Sequence, residues 1–254
     1  MTLEILTADS LTPLRHGFFT RRGGASSGIF AGLNCGAGSS DQADTVRMNR
    51  ARVEGAMQLD AGHLVTIHQT HSADIVHLDA PLDPAAPRPK GDGMVTATPG
   101  LGLGILTADC QPVLFADTQA QVIGAAHAGW RGALDGVLEN TIAAMETLGA
   151  ARARIQAVIG PCISQAAYEV GPEFLDEFLA DDPANARFFA NGQDGKYQFD
   201  LVGFGLHRLR AAGIGDAEWI GQCTYQDPAR YYSYRRSVHE GRADYGRLIS
   251  VIRL

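Results

Sequence analysis

The apolar positions of this chain fall mostly into short runs that end at glycine, proline or acidic residues. Such runs are typical of strands, and we predict eight of them, over residues 17–19, 64–67, 75–78, 102–106, 112–116, 122–126, 155–159 and 248–252. Several are apolar at every position, which indicates strands that are covered on both faces.

Helical spacing of apolar residues appears between these runs. Residues 130–148 place leucine, valine and methionine on one stripe, and Gly149 follows as a stop signal. Asp200 is a good N-cap for a helix that reaches about Ala212 and ends at Gly213. Shorter helices are expected over residues 46–57 and 173–179.

Two segments read as loops, residues 79–89 with four prolines and residues 181–196 with many Asp, Asn and Gly. Strands and helices mix without strict alternation and without an internal repeat. We therefore predict an α+β fold, a layered α/β sandwich with mixed sheets, rather than a barrel or a doubly wound sheet. The prediction is a single domain over residues 1–254.

Composition narrows the class of protein. The chain has 254 residues, of which 45% are hydrophobic and 19% charged, with a net charge of -7. Without a Lys/Arg run, we expect neither nucleic acid nor an anionic membrane as a partner. No apolar stretch has the roughly 20 residues that span a bilayer. The first ten residues have no basic side chain and the cysteines form no C-x-x-C pair, so a reduced, cytoplasmic setting is expected.

Two histidines and one cysteine are the strongest candidates for chemistry. His71 stands in Q-T-H, Cys110 in L-T-A-D-C-Q-P-V-L and His127 in A-A-H-A-G-W-R-G. Two imidazoles and a thiolate would hold zinc with one coordination position left open, which is typical of catalytic sites. The three residues are far apart in the chain, so their spacing alone does not establish a site.

Other interpretations of the same residues stay open. A cysteine near a strand end is commonly a small buried hydrophobe, and a histidine there is commonly structural. Cys110 would also suit a nucleophile, with His127 or His71 as its base. The H-x-E and P-C-x-x-C signature of zinc deaminases is absent.

Anion binding is suggested by arginines beside glycines and serines. Arg22 lies in F-F-T-R-R-G-G-A-S-S-G, and Arg235, Arg236 and Arg242 follow near the C-terminus. Guanidinium groups, hydroxyls and glycine amides can together hold phosphate, although solvated turns have the same composition. Glu169 in Y-E-V-G offers a carboxylate for acid or base catalysis.

Taken together, these phrases resemble the YfiH family of laccase-domain, polyphenol oxidase-like proteins, also described as purine nucleoside phosphorylases. The matching phrases include G-L-N-C-G, V-R-M-N-R, H-Q-T-H, T-A-D-C, H-A-G-W-R-G, I-G-P-C-I, C-T-Y and S-Y-R-R. The pair T-A-D-C and H-A-G-W-R-G is highly specific, and the resemblance covers residues 15–254.

The resemblance implies a single-domain layered α/β fold with zinc on His71, Cys110 and His127. It implies phosphorolysis of adenosine, inosine, guanosine and methylthioadenosine, with some adenosine deamination. Copper-dependent phenol oxidation and editing of peptidoglycan precursors, by an amidase reaction, are further implied activities. A metal-binding protein without catalysis is the remaining alternative.

The types of residue present favour some of these activities over others, but they do not select one. A multicopper oxidase needs many histidines, and only two of the eight here stand in site-like phrases; copper could still replace zinc on a His₂Cys set. Phosphorolysis needs a phosphate clamp, for which Arg131 joins the four arginines named above. Glu169 or Asp109 would protonate the leaving purine. His68 would orient the ligand residues without itself binding the metal. Cys35 has no assigned role.

Overall fold

The computed structural model describes residues 2–254, which form a mixed α/β fold of a single domain, as predicted. Its strands are β1 Ile5–Leu6, β2 Arg15–Phe19, β3 Leu64–Val65, β4 Ile75–His77, β5 Gly93–Thr96, β6 Gly102–Thr107, β7 Gln111–Asp117, β8 Val122–Ala128, β9 Gln156–Ile159, β10 Glu169–Val170, β11 Phe189–Asn191, β12 Tyr197–Phe199, β13 Asp216–Trp219 and β14 Leu248–Arg253. Its helices are α1 Ala43–Ala56, α2 Trp130–Leu134, α3 Val137–Thr147, α4 Pro172–Asp181, α5 Leu201–Ala211 and α6 Tyr234–His239. The predicted domain also includes Met1, which lies outside the described residues.

Two large mixed sheets face each other. One has the strand order β1-β2-β14-β6-β3, and the other β13-β9-β7-β8-β5-β4. A small antiparallel sheet, β10-β12-β11, lies apart from them in the topology. The chain passes from one large sheet to the other between β6 and β7, which are separated by only three residues, 108–110.

Strand β7 shows how the layers form. Leu114 and Ala116 belong to the core between the two sheets, whereas Val113 and Phe115 belong to the core under α3 and α5. Successive side chains of a strand point to opposite faces, so an apolar strand serves both cores. This explains the fully apolar runs that the sequence contains.

A third core closes the outer face of the five-stranded sheet. Val53 and Met57, at the end of α1, pack with Phe19, Ile249 and Val251. The order of layers is therefore helix, sheet, sheet, helices, and the prediction of a layered α/β sandwich with mixed sheets is confirmed.

Two sequence predictions were wrong in detail. The helix predicted over residues 130–148 is two helices, α2 and α3, because Gly136 between them has φ of 94°, a left-handed conformation that no helix interior contains. The predicted loop at 181–196 contains a 3₁₀ helix, Pro183–Phe188, followed by β11. Neither the 3₁₀ helix nor β11 has the apolar periodicity by which a sequence identifies such an element.

The eight predicted strands are all present with ends shifted by up to two residues, and β1, β5 and β10–β13 were not predicted. The helix capped by Asp200 is present as α5, and the Asp200 side chain accepts a hydrogen bond from the Gly203 amide. Among residues 2–254, no helix is long and apolar enough to cross a membrane.

Candidate metal centre

The three candidate ligands come from different parts of the fold. Cys110 is the last residue of the passage from β6 to β7, and His127 is the penultimate residue of β8. These two strands are antiparallel neighbours, with Gln111 opposite Ala128 in the register. The pairing therefore brings Cys110 close to His127 although 16 residues separate them along the chain.

Asp109 shapes the turn that presents Cys110. Its backbone has φ of 88°, unusual for a residue other than glycine. Its buried carboxylate accepts hydrogen bonds from the Thr224 hydroxyl at 2.6 Å, the Ser233 hydroxyl at 2.8 Å and the Arg235 amide at 2.7 Å. These bonds fix the turn, so Cys110 has little freedom of position.

His71 lies in the loop between β3 and β4 and also has a positive φ, of 60°. Gln69 attaches this loop to β6: its side-chain amide donates to the Leu106 carbonyl at 2.8 Å and accepts from the Leu106 amide at 2.9 Å. The side chain thus pairs with β6 as a strand residue would.

The ligand atoms of His71, Cys110 and His127 all lie within 4.8 Å of one another, and this is the only such group of three among residues 2–254. The two imidazole rings meet edge to face, with centroids 4.7 Å apart. Gly129 passes beside the group, since a Cβ there would lie 3.1 Å from the Cys110 Sγ and 3.2 Å from the His71 Cδ2. A side chain at this position would therefore crowd both candidate ligands.

A single buried carboxylate supports two of the ligands. Asp92 is fully buried, and its Oδ1 lies 2.7 Å from His127 Nδ1. Its Oδ2 accepts from the backbone amides of Thr70 and Ser72, which flank His71, at 2.9 and 2.7 Å. An accepting carboxylate at Nδ1 leaves Nε2 of His127 as the ligand atom, the usual arrangement behind a metal-bound histidine.

The charges of the group favour a thiolate. Burial alone would raise the pKa of Cys110, but the neighbouring His127 lowers it to about 6. Burial alone would lower the pKa of His127, and the Cys110 thiolate together with Asp92 raises it instead. A thiolate and two imidazoles in this arrangement suit a zinc or copper ion.

We predict that Cys110 of the metal-free protein reacts as a thiolate in mildly acidic solution. Its alkylation by iodoacetamide should increase between about pH 5 and 7, with an inflection near 6 instead of the ordinary value of about 8.5. The measurement is the alkylation rate of the Cys110 peptide by mass spectrometry after treatment with a chelator.

Cys35 provides the internal comparison, since complete burial raises the pKa of its thiol to about 12. It should stay unmodified over the same pH range. An inflection above about pH 8 for Cys110 would contradict the stabilisation of the thiolate by His127.

Two cavities meet at this group, and residues of the group line both of them. The first, of about 380 Å³, is lined by polar and basic side chains and includes all three candidate ligands. The second, of about 450 Å³, is lined by His71 and Cys110 and by four aromatic residues, Trp130, Tyr168, Phe174 and Tyr234. The aromatic side suits a flat apolar ring, and the basic side suits an anion.

Of the arginines considered from the sequence, only Arg235 lines either cavity. Its guanidinium donates to the Glu169 carbonyl at 2.6 Å and lies 5.3 Å from the centre of the Tyr168 ring. Arg236 instead donates to the backbone carbonyls of Thr224, Tyr225 and Tyr231.

Arg22, Arg131 and Arg242 form ion pairs outside the cavity linings. Their partners are Glu4 at 3.4 Å, Glu177 at 3.6 Å and Glu240 at 2.6 Å, respectively. Arg131 also covers the face of the Trp130 ring at 4.5 Å. The structure therefore does not bring these three guanidinium groups to the candidate ligands.

The two carboxylates considered as proton donors have different surroundings. Glu169 lines the second cavity, and its hydrogen bond from Lys196 at 2.7 Å lowers its pKa. A lowered pKa favours the ionised form, which is a poor proton donor. Burial raises the pKa of Asp109, but both its oxygens already accept hydrogen bonds from the protein.

Sequence reasoning missed several residues of the site. Asp92 and Tyr245 carried no recognisable signal. Arg50 stands in the phrase V-R-M-N-R but was not assigned a role, and Arg88 lies in the segment read only as a surface loop. His68 does line the first cavity, with an exposed side chain, and Cys35 is buried away from the candidate ligands in the core beneath α1.

Fold and site together define the class: a single-domain layered α/β protein with a candidate mononuclear metal centre between two cavities. The family described as multi-copper polyphenol oxidoreductase laccase matches residues 15–254, and the chain belongs to it.

Similar proteins cover almost the whole chain. A Deinococcus radiodurans protein named purine nucleoside phosphorylase is 40% identical over 252 residues, covering 99% of this chain and 93% of its own length. The Escherichia coli protein named purine nucleoside phosphorylase YfiH is 37% identical over 226 residues, 88% of each chain.

Solved structures agree on the fold. A Neisseria meningitidis protein superposes with a TM-score of 0.87 at 32% identity, covering 100% of this chain and 99% of its own. The Bacillus licheniformis protein YfiH superposes with a TM-score of 0.89 at 29% identity, covering 98% of this chain and 96% of its own. The layered arrangement is therefore that of the YfiH structures.

Proposed function

We propose that this chain is a zinc-dependent purine nucleoside phosphorylase that acts on adenosine, inosine, guanosine and methylthioadenosine, with adenosine deamination as a side reaction. The observation that carries the proposal is the position of the His71, Cys110 and His127 group at the junction of an aromatic cavity and a basic one. The names of the relatives, both called purine nucleoside phosphorylase, support the same reaction class.

The aromatic cavity fits the purine. Trp130, Phe174 and Tyr168 lie close together, with ring centroids 4.7 Å apart for the first two and 6.0 Å for the last two. A purine stacked among these rings would leave its ribose near Cys110, which lines both cavities. The sugar would then lie between the base on one side and an anion on the other.

Phosphorolysis requires that a phosphate oxygen bond to C1′ of the ribose while the N-glycosidic bond breaks. The bonding electrons leave with the purine, whose nitrogen takes the proton that dihydrogen phosphate loses, and ribose 1-phosphate remains. Arg235 lines the cavity proposed for the base, so its positive charge would stabilise the electron density that leaves with the purine.

The donor set fits zinc, because Asp92 orients His127 and the low pKa of Cys110 keeps the thiolate available at neutral pH. Bound zinc would supply Lewis acidity and a lowered pKa of water. Deamination of adenosine at the same site would exchange the C6 amino group for an oxygen from water and release ammonia.

Copper-dependent phenol oxidation is a second candidate because of the description of the family. The His₂Cys set also suits copper, which such ligands bind more tightly than zinc. Assays of the same protein loaded with either metal separate the two: we expect the zinc form to cleave nucleosides, and greater turnover of a phenol than of any nucleoside would favour the oxidase.

The direct test of the proposed function is to incubate the zinc-loaded protein with inosine and phosphate. We expect hypoxanthine and ribose 1-phosphate in equal amounts, measured by chromatography and an enzyme-coupled assay. Omission of phosphate serves as the control for hydrolysis. Failure to form ribose 1-phosphate from any of the four nucleosides would refute the proposal.

A further inference from the structure

The first cavity has a lining that is unusual for an acidic protein. Three arginines, Arg50, Arg88 and Arg247, line it together with the candidate ligands, and no aspartate or glutamate is among its lining residues. The whole chain has 28 acidic and 21 basic side chains, so the charge of this cavity wall is opposite to the net charge of the protein. Uncompensated positive charge in a cavity indicates an anionic ligand.

The arginine cluster (Arg50, Arg88 and Arg247) is only weakly neutralised by the protein. Arg50 and Arg88 form no ion pair among residues 2–254, and both instead donate to the hydroxyl of Thr66. Arg247 has one acidic partner, Asp244, at 3.6 Å. Two guanidinium groups that share one neutral hydroxyl repel each other, and an anion between them would remove that repulsion.

The cluster is held in place by the fold. Arg50 donates to the Cys35 carbonyl at 2.9 Å from the buried side of α1. The Arg247 side chain lies against Gly36, where an added Cβ would be 2.5 Å from its Cδ, and over the Tyr245 ring at 4.4 Å. Guanidinium groups that are positioned in advance lose little side-chain entropy when an anion binds.

Two further observations indicate a ligand in this cavity. Thr107 is 3% exposed and lines the cavity, yet its hydroxyl is without a hydrogen-bond partner among the described residues. The backbone amides of Ala37 and Gly38, two exposed residues of the same lining, donate to no acceptor within residues 2–254 and are accessible to a ligand. The buried hydroxyl and the free amides are hydrogen-bond donors in one cavity, and such donors can bind an oxyanion.

We infer that the arginine cluster binds inorganic phosphate as the oxyanion co-substrate of this protein. The inference rests on the proposed phosphorolysis for its biological meaning, but the binding of phosphate is independent of it. The assignment replaces Arg22, Arg236 and Arg242, which pair with glutamate or with backbone carbonyls, as the phosphate-binding residues.

The test uses Arg88→Met in the zinc-loaded, full-length protein, because Arg88 is exposed and its recorded hydrogen bonds are to Thr66 alone. Titration calorimetry with inorganic phosphate, without nucleoside, should give binding that is about 10- to 100-fold weaker than in the wild type. Arg247→Met should give a similar loss. Arg22→Met, which removes an arginine outside the cavity, is the matched control and should bind phosphate as the wild type does.

Steady-state kinetics separate this inference from the proposed function. We expect the KM for phosphate to rise in Arg88→Met while the KM for inosine stays within about twofold. Phosphate binding that depends on Arg88 and Arg247 without any cleavage of inosine would support the anion site and refute phosphorolysis. Cleavage of inosine with an unchanged KM for phosphate in both variants would refute the anion site and leave phosphorolysis intact.

The oxyanion could also be the 5′-phosphate of a nucleotide. Inosine 5′-monophosphate is therefore titrated in the same way. We expect it to bind no more tightly than phosphate, and tighter binding that is lost in Arg88→Met would overturn the assignment of free phosphate. Absence of phosphate binding by the wild-type protein would overturn the inference as a whole.

Discussion

Replacement of Cys110 by alanine should abolish both zinc binding and nucleoside cleavage. The thiolate is one of three donors within 4.8 Å of one another, and His127 keeps it ionised at neutral pH. Without it, only the two imidazoles remain, too few for a stable catalytic zinc site. If Lewis acidity contributes about 4 kcal/mol to the transition state, turnover should fall by about a thousandfold or more.

Zinc content by elemental analysis and ribose 1-phosphate formation are the two measurements. Cys223→Ala is the matched control, since Cys223 is also a half-buried free thiol but accepts a hydrogen bond from Ser164 outside the group. This variant should keep one zinc ion and its turnover. A Cys110→Ala protein that retains zinc but loses turnover would show that the thiol is a nucleophile instead of a ligand.

Replacement of Asp92 by asparagine should have the largest effect on stability. Both oxygens of this fully buried carboxylate accept hydrogen bonds, from His127 and from the backbone amides beside His71. An asparagine would direct an N–H group at one of these donors and would leave His127 without its charged partner. Loss of one member of a buried pair costs about 3–5 kcal/mol, and loss of such a ligand support lowers metal affinity by about 10- to 100-fold.

Urea unfolding of the metal-free protein measures the first effect, and competition with a zinc chelator measures the second. Asp74→Asn is the control, because Asp74 is exposed two residues after Ser72; its effect should stay within about 0.5 kcal/mol. Equal unfolding free energies for wild type and Asp92→Asn would contradict the proposed support.

The contribution of Asp92 to the free energy of unfolding should be lost at low pH and not at high pH. Burial alone would raise its pKa, but the hydrogen bonds from His127, Ser72 and Thr70 lower it below the ordinary range. A lowered pKa in the folded protein stabilises the fold above the unfolded value of about 3.9 and loses this effect as the pH falls below it. The stability difference between wild type and Asp92→Asn should therefore persist at neutral pH and shrink only in strong acid.

Eight of the strands and the α5 helix were predictable because their signals are local. An apolar run such as β7 or β8 is buried on both faces wherever it lies, and Asp200 caps its helix through the Gly203 amide only three residues away. The break at Gly136 was not predictable, since the apolar stripe continues through it and only the packing of two separate helices requires the turn.

The candidate ligands were likewise identified from the sequence motifs in which they stand. The residues that hold the ligands in place were not. Asp92 acts on His127, 35 residues away, and on the loop around His71, about 20 residues away. The arginines show the same difference: Arg22 and Arg242 stand in suggestive phrases and pair with glutamates, whereas Arg50 and Arg88 face the cavity. A local sequence motif does not specify which face of the folded protein an arginine side chain will reach.

By itself, the sequence determined the fold class, the single domain, most strands and the three residues that could hold a metal, because periodicity, caps and unusual phrases are properties of neighbouring residues. Only the tertiary structure decided that Cys110 and His127 meet through the pairing of β7 with β8, that one carboxylate holds both His127 and the loop around His71, and that an aromatic and a basic cavity adjoin them. Those features depend on contacts between segments far apart in the chain, which form only when the two sheets pack.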